Sequence, residues 1–155
     1  MMRLYLTGSL VLLLSLLSFH NSYAKSENNS DVYFSCNTKK GNVKLEIKDG
    51  TLSYSLSKEG INSFIFNSLG DNYSGFLYNH YARYQTEYIH VSFVNENYRY
   101  TVFDNYENNE KSSGVSVVNN DNKKEFLLMC KTVKKNNLRN LITFLACDKD
   151  NALGC

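Results

Sequence analysis

The sequence predicts an all-β, mainly antiparallel domain, a small closed or partly open barrel or sandwich of about seven to eight strands with a short C-terminal helix. Three observations carry that expectation. From Val32 onward apolar and polar residues alternate in the two-residue period of half-buried strands. Turn residues such as Asp49-Gly50, Lys58-Glu59-Gly60 and Asn95-Glu96-Asn97 punctuate the alternation at short intervals. Only after Cys130 does the apolar spacing change to that of a helix.

The first strand is expected over 31–36. Val43, Leu45 and Ile47 then share one face, Asp49-Gly50 supplies a tight turn, and Leu52, Tyr54 and Leu56 answer on the returning strand. A short strand rich in Phe and Ile follows over 61–67, and 68–75 reads as loop. Residues 86–94 and 98–104 carry the aromatic and β-branched side chains that suit a pleated surface, and they are expected to pair as a hairpin. The polar stretch 105–114 reads as the longest loop, before a last hairpin of 115–118 with 125–130. Beyond it Leu138, Leu141, Ile142 and Leu145 mark one apolar helix face, with Asn136 or Asn137 as its cap.

The N-terminus begins Met-Met-Arg, continues through an apolar run from Leu10 to Leu17 broken only by Ser15, and reaches Ser22-Tyr23-Ala24. This is the pattern of a secretory signal peptide over 1–24, cleaved before Lys25. Its apolar core is shorter than the roughly 18 to 20 residues that span a bilayer, so no membrane insertion is expected after cleavage. The 131 residues that remain of 155 suit one domain. Within it 25–30 are expected to be disordered, 31–130 to form the β domain, and 131–155 to pack on it as helix and disulfide loop. The signal takes one of 17 basic residues and none of 15 acidic ones, leaving 16 against 15. So balanced a charge excludes a polyelectrolyte binder, and no nucleic-acid partner is expected. The nearest thing to a basic patch is Lys131, Lys134, Lys135 and Arg139.

All four cysteines lie in the exported part, and an even count favours disulfides there. Of the three pairings available, Cys36 with Cys130 and Cys147 with Cys155 are favoured: the first clamps the first strand to the last, the second closes a small terminal loop. No close Cys-x-x-Cys pair suggests zinc. Asp148-x-Asp150 opens like a calcium loop, but Gly154 falls one residue late and no closing Glu follows. Neither metal nor cofactor is expected.

Catalytic signals are weak. His80 and His90 are the histidines left after signal removal, and no Gly-x-Ser-x-Gly run accompanies them. Glu87, Asp104, Glu107 and Glu110 are carboxylates whose use as an acid and base pair would depend on their separation in space. The segment 73–88 holds five tyrosines together with His80 and Arg83, the amphipathic contact area typical of binding surfaces. A binding protein is therefore expected rather than an enzyme.

Three features lie together on this chain: an aromatic-x-x-Cys opening (Tyr33 to Cys36), a Ser-Gly-x-x-Tyr motif (Ser74, Gly75, Tyr78) and a closing strand that ends in Cys130. Together they resemble the small exported bacterial inhibitors of C-type lysozyme, over roughly Tyr33 to Cys130. The resemblance implies a compact antiparallel barrel whose Ser-Gly loop enters the lysozyme cleft, with Ser74 inserting beside the catalytic carboxylates and Tyr78 supporting it. It also implies a bacterial source and a periplasmic or secreted location. The binding residues expected are Ser74, Gly75, Tyr78, His80, Tyr81, Arg83 and Tyr84, and the expected partner is a protein, a cell-wall hydrolase. Two other readings use the same features: immunity against a periplasmic toxin, and a glycan- or peptidoglycan-binding module in which tyrosines stack on sugar rings.

Overall fold

The computed structural model describes residues 30–155. The expected signal peptide, and residues 25–29 of the expected disordered segment, lie outside them. Ser30 belongs to a strand, where it pairs with Lys48.

Eleven strands among the described residues form two sheets packed face to face rather than a closed barrel. The first sheet contains β1 (Ser30–Asn37), β2 (Asn42–Lys48), β3 (Thr51–Lys58), β4 (Ile61–Asn67) and β10 (Thr132–Asn136), in the order β10-β1-β2-β3-β4. The second contains β5 (Phe76–Arg83), β6 (Thr86–Asn95), β7 (Tyr98–Glu107), β8 (Glu110–Asn119), β9 (Glu125–Met129) and β11 (Ala146–Cys147), in the order β11-β5-β6-β7-β8-β9. Every pairing is antiparallel except that of β11 with β5. Helix α1 (Leu138–Leu141) runs into a 3-10 turn, Ile142–Phe144, and the four leucine and isoleucine positions of the expected apolar stripe are all buried.

The turns explain the hairpins. Asp49 and Gly50 both have positive φ, 50° and 76°, the geometry whose twist matches that of flanking strands. The same holds at Asn108 and Asn109, with φ 50° and 69°. The expected loop over 105–114 is consequently a two-residue turn inside a ten-residue β7–β8 pairing. Asparagine tolerates the left-handed region, and the serines that suggested a loop sit in strand β8. Three further strands were not expected: β5, β10 and β11. Residues 131–155 thus give a strand to each sheet besides the helix and loop.

Phe34, Val43, Leu45, Leu52 and Tyr54 from the first sheet meet Phe76, Ile89, Val91, Phe93, Val102 and Val115 from the second, and α1 closes one end. Phe93 is the hub of an aromatic cluster, with ring centroids 4.3 Å from Phe66, 4.9 Å from Tyr100 and 5.1 Å from Tyr54. Both favoured disulfides are present, Cys36–Cys130 and Cys147–Cys155. They fit an extracellular or periplasmic protein. Among the described residues no helix is long and apolar enough to cross a membrane.

Candidate binding face of the six-stranded sheet

Alternation along β5 to β9 sends Phe76, Val91, Phe93, Val102 and Val115 into the core. The opposite face therefore receives Tyr81, Arg83, Tyr88, His90, Phe103 and Leu127. There the aromatic rings form a ladder across three strands. Tyr81 stacks on Tyr88 at 5.9 Å, Tyr88 lies 6.5 Å from the His90 ring, and His90 meets Phe103 edge-on at 6.3 Å. The Arg83 guanidinium sits 5.9 Å from the Tyr81 ring centre, a cation-π contact that extends the ladder toward the β5–β6 turn.

Beyond the ladder the face hollows into a groove of about 380 Å³, floored by His90 and Phe103 and walled by Leu127 and Met129, with Thr101, Asn105, Ser112 and Ser116 supplying polar atoms. Gly114 makes the hollow. It pairs with Phe103, and a Cβ there would stand 2.5 Å from the Leu128 carbonyl oxygen and 3.0 Å from the Phe103 ring. A side chain at this position would lift the phenyl ring off the sheet. At the other end the face is covered. Asn79 donates to the carbonyls of Asp148 and Gly154 at 2.9 and 3.1 Å, and Arg99 pairs with Asp148 at 2.9 Å, so the Cys147–Cys155 loop is clamped over β5. That pairing is what the carboxylate of the calcium-like motif does here. Among the described residues no group of three or more His, Cys, Asp or Glu side chains could hold a metal ion.

The seven expected binding residues fall in three places. Tyr81 and Arg83 lie on the ladder, and Tyr84 projects from the β5–β6 turn with 87% of its surface exposed. The turn is braced by its neighbour, because the Asn108 amide donates to the Gln85 carbonyl at 3.0 Å. Tyr78 and His80 point to the other side of β5, where Tyr78 packs against the core. His80 donates to Glu87 at 2.9 Å, and Arg139 also bonds to that carboxylate. Ser74 and Gly75 lie at the opposite end of β5, roughly 30 Å from Tyr84 by strand rise. There the Ser74 hydroxyl donates to the Leu69 carbonyl. Residues Phe103, Asn105, Leu127 and Met129 belong to the groove and were not singled out in the sequence, since they come from two strands, β7 and β9, and share no local motif.

The expected acids are also dispersed. Asp104 accepts a hydrogen bond from Ser113 at 2.5 Å on the core side of β7. Glu107, the acid beside Tyr88, raises the pKa of that phenol. Glu110 is exposed at the start of β8. Compared with known proteins, the chain matches no family model, no curated protein and no solved structure.

Three titrating groups set an acid limit on stability. Burial lowers the pKa of His90, partly offset by its hydrogen bond to Asn105. For Glu87, burial alone would raise the pKa, but hydrogen bonds from His80 and Arg139 outweigh it and hold the group low. Glu46 is likewise held low, by Lys44 and Ser30 against the effect of burial. Below 6.5, the ordinary histidine value, the unfolded chain takes up a proton that folded His90 refuses. Below 4.5 the same sign applies to the two carboxylates, whose contribution disappears as they protonate in the fold. Stability is therefore expected to fall steadily on acidification from about pH 7.5 to about 5.5, with His90→Gln flattening that segment of a denaturation-midpoint profile. An unchanged slope in the variant would assign the loss elsewhere.

Proposed function

We propose that this chain is an exported binding protein that inhibits a cell-wall hydrolase of the muramidase kind by seating the β5–β6 hairpin tip in its cleft. The observation that carries the reading is Tyr84, an exposed aromatic residue at a turn braced by the β7–β8 turn and by the Arg83–Tyr81–Tyr88 stack. A rigid, narrow tip with an aromatic end can enter a polysaccharide cleft without losing much conformational freedom. The resemblance to lysozyme inhibitors would instead use Ser74. Its hydroxyl hydrogen is held by Leu69, which leaves only the oxygen lone pairs to meet an acidic cleft.

The test is residual lysozyme activity titrated with the oxidised protein. Stoichiometric inhibition is expected, weakened by about 30-fold or more in Tyr84→Ala, as for a central aromatic anchor. Ser74→Ala should change it little. The opposite order of effects would return the site to the Ser-Gly loop, and failure of the unsubstituted protein to inhibit any muramidase would end the proposal. A second reading, glycan binding, draws on the Tyr81–Tyr88 stack beside the hydroxyl-lined groove. It predicts saturable binding to peptidoglycan fragments that Tyr88→Ala loses and Tyr84→Ala keeps.

A further inference from the structure

Strand β9 ends the six-stranded sheet, and among the described residues its second edge has no neighbouring strand. The Asn119 amide bonds to the Lys124 carbonyl and the Cys130 amide to that of Ser113, which fixes the alternation of the β8–β9 ladder. Even-numbered residues of β9 face β8. The amides and carbonyls of Glu125, Leu127 and Met129 consequently point away from the sheet, with no strand to receive them. An edge of this kind is a template for another extended chain.

Its surroundings define what that chain would be. Phe126, Leu127 and Met129 expose large apolar surfaces within a strand of five residues. Alongside lies a cleft of about 280 Å³ between β9 and the β1–β2 turn, where Leu127, Leu128 and Met129 meet Lys39, Lys40 and Lys131. Lys123 and Lys124 approach the other end of the strand, with the Lys124 ammonium 5.2 Å from the Phe126 ring centre. None of these five lysines is ion-paired with a described residue. The acid of the strand, Glu125, already accepts a hydrogen bond from Ser116 at 2.5 Å. Five lysines against the single acid of the strand leave an excess of positive charge along one open strand edge of an otherwise near-neutral chain.

We propose that the free edge of β9 binds an extended acidic segment of a partner protein as an added antiparallel strand, with carboxylates toward Lys39, Lys40 and Lys131 and apolar side chains over Leu127 and Met129. A second copy of this chain fits poorly. Antiparallel self-pairing centred on Leu127 would set Lys123 against Lys131 of the other copy, a like-charge opposition that disfavours the pair. An acidic strand turns the same lysines into attraction. This surface is separate from the hairpin tip, and either assignment can fail without the other.

The probe is a capped peptide alternating Val and Glu, added to the oxidised protein beside the same peptide with Lys in place of Glu. Saturable binding of the acidic peptide alone is expected, with hydrogen-exchange protection gained at Glu125, Leu127 and Met129. Triple substitution Lys39→Ala, Lys40→Ala, Lys131→Ala should weaken it about tenfold or more, as should salt near 0.5 M. Leu127→Pro should abolish it while leaving the β8 ladder whole, because that amide donates to no strand. The proposal is overturned by no saturation up to millimolar peptide, by equal binding of the basic peptide, by protection elsewhere, or by concentration-dependent dimers that protect the same amides without peptide.

Discussion

Replacing Cys36 and Cys130 together by alanine is expected to lower stability by about 4 to 5 kcal/mol, from the loop-closure entropy restored to the unfolded chain. The two cysteines are 94 residues apart, so the bridge constrains most of the described chain. It also joins the sheets, since Cys36 lies in β1 and Cys130 follows directly on β9. The bridge of Cys147 to Cys155 spans a separation of only 8, for which the same reasoning gives about 2.5 kcal/mol. Domains of this size hold about 5 to 15 kcal/mol in total, so both losses are substantial and the first is about twice the second. Denaturant midpoints of the two double variants should therefore separate widely. Equal losses would show that the terminal bridge acts on more than its own loop, through the Asn79 and Arg99 clamp that holds Asp148 on β5.

The elements that were legible in the sequence share one property: their local chemistry and their burial agree. Val43, Leu45, Leu52 and Tyr54 alternate inward on either side of Asp49-Gly50, and the β2–β3 hairpin follows without help from the rest of the chain. The α1 stripe and the cysteine pairing are of the same kind. Strand β8 is the counter-example. Its outer face carries Ser112, Gly114 and Ser116, whose polarity and small size serve the groove and imitate a loop. Strand β10 is exposed along its whole length, so its sequence, Thr-Val-Lys-Lys-Asn, holds no alternation to detect. Within the candidate site, Tyr81, Arg83 and Tyr84 were identified because they are close in sequence. A strand, however, sends alternate residues to opposite faces, and this separated Tyr78 and His80 from them. The groove was invisible for the converse reason: His90, Phe103 and Leu127 become neighbours only through the register of β6 to β9.

Phe93→Ala is expected to destabilise the fold by about 3 to 5 kcal/mol, the range for emptying a buried aromatic position. Phe93 is 2% exposed and lies within 5.2 Å, centroid to centroid, of Phe66, Phe76, Tyr100 and Tyr54. Four rings lose a neighbour at once. Where in the range the loss falls depends on how far the walls collapse. Tyr54, Phe76 and Tyr100 stand on strands paired on both sides and have little freedom to move, whereas Phe66 belongs to β4, an edge strand that among the described residues pairs with β3 alone. Relaxation should therefore come from β4 swinging inward. A second variant isolates that motion: Phe66→Ala on its own should cost less than Phe93→Ala, because its strand can follow the void. The control is Phe126→Ala, half exposed on β9 and expected to change stability by about 0.5 kcal/mol or less. Urea unfolding of the three variants checks the order. A Phe93→Ala loss below about 1.5 kcal/mol would mean that the aromatic cluster closes over the gap and that the disulfide, rather than the rings, holds the two sheets in register.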